Sequence, residues 1–192
     1  MEADWEFEIG ADAPIIEACW PGFVDLRWTP QSARDLPARI RSLPEVIQLP
    51  ALAAVLERLN CQHSPVWTSK CDFWPALGAG EFDPDELEAR PGCARAMGCY
   101  VDLLPKSDRQ WPFPSVVEAT CKHLCARLRV IPLRCFRVDL IVRRAQIAPG
   151  VMDTGITAYI TACGTTAGEA QATLESALAT FAGVLCPHST LQ

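Results

Sequence analysis

The chain has 192 residues, 49% of them hydrophobic and 21% charged, with a net charge of −6. That length holds one domain with a sizeable core. The acidic balance argues against nucleic acid as a partner, and no apolar run reaches the roughly 18 residues that a membrane span needs.

The opening MEADWEFEIG is acidic and has neither the basic n-region nor the apolar h-region of a secretory signal, so a cytoplasmic location is expected. Ten cysteines in such a chain read as reduced, small hydrophobic residues and not as a disulfide framework. Charge is unevenly spread. Residues 1–17 carry six acids and no base, residues 81–90 carry five acids and one arginine, and residues 127–144 carry six arginines and one acid, Asp139. The basic stretch is a local feature where acids from elsewhere can find partners.

In chain order, residues 5–27 read as extended structure broken by Pro14, Pro21 and Gly22. Ser42 and Glu45 have capping-box spacing for a short helix. A firmer helix covers 50–60, with Leu52, Val55, Leu56 and Leu59 on one face. PVWTSKCDFW (65–74) alternates as a strand. The acidic loop GAGEFDPDELEARPG follows, in which Asp83-Pro84 suits a single helical turn, and MGCYVDLLP (97–105) is the next strand. Ser115 and Glu118 open a helix to about residue 129, striped by Val117, Cys121, Leu124 and Leu128. Residues 133–147 and 155–164 form a hairpin about Pro149-Gly150. Thr166 and Glu169 then cap a last helix to about residue 185, and residues 187–192 are expected to fray.

The expected fold is α+β: an antiparallel sheet of about five to six strands with helices on one face, built from a duplicated helix-strand-strand unit in a ferredoxin-like manner. Residues 1–192 are expected to form a single domain. Its N-terminal half, 1–110, holds strands, a helix and the acidic loop, and its C-terminal half, 111–192, is helix, hairpin, helix.

An aspartate recurs between apolar neighbours in FVDLR (23–27), KCDFW (70–74), YVDLL (100–104) and CFRVDLIVRR (135–144). Strand parity explains how this can be. In 135–144 the even residues Phe136, Val138, Leu140 and Val142 are apolar and should face the helices, which turns Asp139 to the other side. The same test on the other strands puts Trp67, Ser69, Cys71 and Phe73 inward and Thr68, Lys70, Asp72 and Trp74 outward. It collects Asp25, Arg27, Lys70, Asp72, Trp74, Tyr100, Asp102, Arg137, Asp139, Arg143 and Tyr159 on one open face.

Three readings of that face compete: a solvated surface laced with ion pairs, a docking surface, and a metal-dependent site for phosphoryl or nucleotidyl chemistry on Asp72, Asp102 and Asp139. Aromatics and arginines are the residue types of interface anchors, and no Walker motif or acidic doublet accompanies the aspartates. A non-enzymatic binding or assembly module is therefore expected, working by self-association or on another protein, with no cofactor. Cys61-x-His63 and Cys186-x-His188 each follow a helix end and could meet as a Cys₂His₂ site, but the spacing is no known zinc signature, and two histidines near negative helix ends are the favoured explanation. Cys121 and Cys125 share a helix face and read as packing. GTTAGE (164–169) lacks the spacing and the lysine of a phosphate loop.

Overall fold

A computed structural model describes residues 1–18, 20, 22–78, 80–106, 111 and 114–187, with backbone only at 75 and 76. The strands are β1 (Glu2–Glu8), β2 (Ile16–Glu17), β3 (Val66–Gly78), β4 (Arg95–Pro105), β5 (Phe136–Ala148) and β6 (Val151–Gly164). The helices are α1 (Leu36–Arg41), α2 (Pro44–Gln48), α3 (Ala51–Leu59), α4 (Pro114–Arg129) and α5 (Ala167–Leu185). The six described strands share one sheet of order β1-β5-β6-β4-β3, and β2 continues the β1 edge along β5. The pairs β3–β4, β4–β6 and β5–β6 are antiparallel, whereas β1 and β2 run parallel to β5. The fold is thus mixed α+β with a mostly antiparallel sheet. A ferredoxin-like duplication is not established. The two strand pairs meet through antiparallel β4 and β6, and parallel β1 and β2 have no counterpart in such a repeat.

The main core lies between the helices and one face of the sheet. Cys99, Val101, Leu103, Phe136, Val138, Leu140, Ile156 and Ile160 pack there with Leu52, Leu56, Val117, Leu124, Leu128, Leu178 and Phe181. The stripes expected for α3 and α4 are buried residue for residue. Thr166 caps α5 by accepting from the Glu169 amide at 3.2 Å. The Glu169 carboxylate reaches back to the Thr165 amide and hydroxyl, so the reciprocal half of the box closes one residue early. Ser42 does not cap α2. Its hydroxyl donates to the Arg39 carbonyl at the end of α1, and α2 starts on Leu43 with Pro44 in its first turn. Asp83-Pro84 opens a hydrogen-bonded turn, not a helix.

The acidic N-terminus lies on the basic stretch. Arg143 pairs with Glu8 at 2.6 Å and Arg129 with Asp4 at 3.6 Å. Arg129 Nε donates to the Ala3 carbonyl, and Arg144 Nη2 donates to those of Gly10 and Ala11. Arg129, Arg143 and Arg144 thus hold β1 and its following turn to the sheet.

The facing expected for Trp67, Thr68 and Ser69 in β3, and the strand expected at 23–28, are corrected. In β3 the register jumps between Thr68 and Cys71, so that Ser69 and Lys70 both oppose Asp102. This bulge reverses the faces of the residues before it. Thr68 faces the helices, where its hydroxyl and amide bond to Asn60 (2.8 and 2.9 Å), and Trp67 lies on the opposite face beside Leu104. Residues 23–28, expected as a strand, are irregular backbone. Their alternation survives in packing, since Val24, Leu26 and Trp28 still turn toward the main core.

Candidate functional site: the polar face and its edge cleft

The register across the sheet brings the outward-facing residues into rows. Asp4, Asp139, Tyr159, Tyr100 and Asp72 are successive Cα partners on β1, β5, β6, β4 and β3. Tyr100 and Tyr159 meet at 5.9 Å between ring centroids, and Trp74 reaches Tyr159 at 6.2 Å. An aromatic patch therefore sits between acids.

Most charges on this face have internal partners. Arg137 Nε lies 2.8 and 2.9 Å from the two oxygens of Asp139. Burial pushes the Asp139 carboxyl up, and the Arg137 hydrogen bond and charge only partly offset this. Arg143 joins Glu8, Thr157 Oγ1 (3.2 Å) and the Tyr159 hydroxyl (3.1 Å), with its guanidinium 5.6 Å from the Tyr159 ring centroid. Asp102 is 5% exposed and accepts from Thr157 Oγ1 at 2.6 Å. Burial raises its carboxyl above the ordinary aspartate value, against the pull of Thr157, Arg143 and Lys70.

Asp25 does not join these rows. It lies on the irregular segment and forms a local ion pair with Arg27 at 2.6 Å. Burial pushes its carboxyl up, but hydrogen bonds and charge from Arg27 outweigh that and leave it below the ordinary range. The Arg27 guanidinium stacks 5.1 Å from the Trp67 ring centroid. Asp72, Asp102 and Asp139 are not gathered at one point either. Two strands separate Asp72 from Asp139, a span of about 14 Å at the usual interstrand spacing. The three carboxylates therefore form no common coordination set.

The face is not open along its whole length. Ile16 and Ala18 cover Trp67, Leu104 and Ala145, with Phe23 and Ile147 at the margin. The Glu17 carbonyl accepts from Ser69 Oγ at 2.9 Å, and its carboxylate pairs with Lys70 at 3.8 Å. Residues 16–18, with Phe23 beside them, thus strap the end of the face where the β3 bulge lies.

Beside this strap, at the free edge of β3, is a cleft of about 430 Å³. Val24, Leu26, Leu43 and Tyr100 supply apolar wall, and Glu45, Lys70, Cys71 and Asp72 supply polar groups. Lys70 lies 5.5 Å from the Trp20 ring centroid, and the buried Trp20 Nε1 has no hydrogen-bond partner among the described residues. Two carboxylates, Glu45 and Asp72, line this place. Burial raises the Cys71 thiol to about 12, and Glu45, Asp72 and Asp102 all push in the same direction. Burial likewise raises the Tyr100 hydroxyl to about 12, helped by Asp102 and Asp72. Sequence reasoning missed this cleft because part of its wall, at Trp20, Val24 and Leu26, is irregular chain.

Arg58 donates to the Cys186 carbonyl (3.0 and 2.7 Å), and Ser64 Oγ lies 3.4 Å from Cys186 Sγ, so the ends of α3 and α5 do meet. His188 lies outside the described residues. Among those described, Cys61, His63 and Cys186 belong to no cluster of three possible ligands. The nine described cysteines are all free, and no described helix is long and apolar enough to cross a membrane. Comparison of the chain with protein-family models, with curated proteins and with solved structures finds no match.

Proposed function

We propose that the protein is a non-enzymatic binding module whose edge cleft takes a small amphipathic cation. The observation that carries this reading is the meeting of Glu45 and Asp72 in one apolar-walled hollow, where Lys70 is already engaged by Glu17 and Trp20. The volume lies in the usual range for a ligand site, about 300–1,000 Å³, and a few polar groups on an apolar wall is the usual make-up of one. An incoming ammonium would find carboxylates and the Tyr100 ring, and its apolar body would cover Val24, Leu26 and Leu43. Self-association through the flat aromatic rows is less favoured, because Arg137, Asp139 and Arg143 already satisfy one another or Glu8 within the chain. A reducing cytoplasm is the compartment that suits this reading, given the free thiols.

Calorimetric titration with phenethylamine, phenylethanol and phenylpropionate tests it. The amine should bind at least tenfold more tightly than the other two, and Asp72→Asn with Glu45→Gln should remove that preference. Asp139→Asn, two strands away, should leave it intact. Equal affinity for the three probes, or binding to none, would sink the proposal.

A further inference from the structure

A second cluster lies at the opposite end of the sheet, and the polar face does not use it. The sulfur atoms of Cys93, Cys135 and Cys163 all lie within 4.8 Å of one another, and no other described histidine, cysteine, aspartate or glutamate joins them. Cys93 precedes β4, Cys135 immediately precedes β5, and Cys163 is the penultimate residue of β6. From these observations the structure assigns Cys93, Cys135 and Cys163 as a three-sulfur site for a soft, three-coordinate metal or metalloid ion.

The backbone holds the three positions independently of the thiols. The Cys163 amide donates to the Cys135 carbonyl at 2.8 Å, the Ala94 amide to the Gly164 carbonyl at 2.9 Å, and the Cys93 amide to the Arg90 carbonyl at 3.1 Å. Cys135 has φ = +70°, a left-handed conformation that residues bearing a Cβ seldom adopt. Glycine would take this corner without strain, yet the residue there carries a sulfur that meets two others. Three-coordination with bonds near 2.3 Å places sulfurs about 4.0 Å apart when planar, and closer when pyramidal as at arsenic(III), so the cluster closes on an ion by contracting from its present spacing.

The surroundings select among ions. Leu87, Ala96, Leu77 and Phe82 wall the cluster, and Cys135 and Cys163 are buried. Burial and the two neighbouring thiols all hold the Cys163 thiol protonated, and no cation offsets them. Such a thiol is a poor nucleophile, which argues against a redox relay, but a soft ion can displace its proton. Three thiolates on a divalent ion would leave a net negative charge in an apolar pocket, whereas a trivalent ion leaves none. Arsenite is therefore the probe of choice. One As(OH)₃ condenses with three S–H groups, three As–S bonds replace three As–OH bonds, three waters leave, and no oxidation state changes.

The test is arsenite titration of the reduced full chain by native mass spectrometry, followed by counting thiols that still react with a disulfide reagent. One arsenic per chain is expected, with the mass of three hydrogens lost and three thiols protected. Cys163→Ala and Cys93→Ala should each abolish that adduct. Cys135→Gly removes the sulfur while suiting the left-handed backbone, so a folded Cys135→Gly chain that no longer binds separates ligation from misfolding. A Cys121→Ala/Cys125→Ala double variant, which lacks the thiol pair on α4, should bind as the parent does. No adduct with arsenite, or an adduct that survives Cys135→Gly or is lost with the α4 pair, would overturn the assignment.

Discussion

Trp74 and Gly98 are partners on β3 and β4, and the Trp74 indole fills the space that a side chain at position 98 would occupy. The absence of a Cβ at Gly98 is thus what lets the indole lie across β4 and reach Tyr159. Gly98→Ala should displace the indole and lower stability by about 1–3 kcal/mol, the usual range for overpacking. Denaturant unfolding and the near-ultraviolet dichroism of the aromatic patch would measure this, and an unchanged spectrum would show that Trp74 does not depend on the gap.

Arg143 and Glu8 link strands 135 residues apart in sequence. The side chains are 15% and 40% exposed, so solvent screens part of the attraction. A double-mutant cycle with Glu8→Gln and Arg143→Gln should give a coupling of about 0.5–1 kcal/mol that shrinks in 1 M salt. Arg143→Gln alone should cost more than Glu8→Gln, since it also leaves Thr157 and Tyr159 without a donor.

Asp102 provides a pH signature. Its folded-state pKa is raised, so the folded chain binds the proton more tightly than the unfolded chain does. That contribution to stability is fully present below the ordinary aspartate value and is lost as pH rises through the raised one. Asp102→Asn, which keeps an acceptor for Thr157, should therefore melt higher than the parent at pH 7. The gap should close as pH falls toward 4. A gap that widens on acidification would contradict the assignment of a destabilised, buried carboxylate.

Asn60 joins the end of α3 to the start of β3. Its amide nitrogen donates to the Leu56 carbonyl and Thr68 Oγ1, and its oxygen accepts from the Thr68 amide. Asn60→Ala strands that amide in the core and should cost about 1–3 kcal/mol. Hydrogen exchange should localise the change to residues 66–68. Asn60→Asp should be no better, because the carboxylate cannot donate to Leu56.

Legibility from sequence followed the regularity of the backbone. Parity placed Asp139, Tyr159, Tyr100 and Asp72 on a common face because β4, β5 and β6 pair without interruption through those residues. It failed at Trp67 and Thr68, where one extra residue in a bulge inverts the pattern and leaves no mark in composition. Asp25 looked like its three cousins because FVDL alternates, but no strand pairs with it. The cysteine cluster was invisible for a different reason. Its members are 42 and 28 residues apart and sit at strand ends, so only the closing of the sheet brings them together. A cysteine in a left-handed turn was the one local clue, and φ cannot be read from a sequence.

The edge position of β1 bears on how the chain reaches its folded state. Every partner of Glu2–Glu8 in the sheet lies in Arg137–Arg143, so during synthesis the first strand has nothing to pair with until most of the chain has been made. At ordinary elongation rates that wait is on the order of ten seconds. Closing so long a loop also raises the contact order and slows the final step. Through that interval, the alternating acids Glu2, Asp4, Glu6 and Glu8 act as gatekeepers that keep an unpaired strand from pairing with another chain. The later ion pairs of Asp4 with Arg129 and of Glu8 with Arg143 are then a second use of two of these charges.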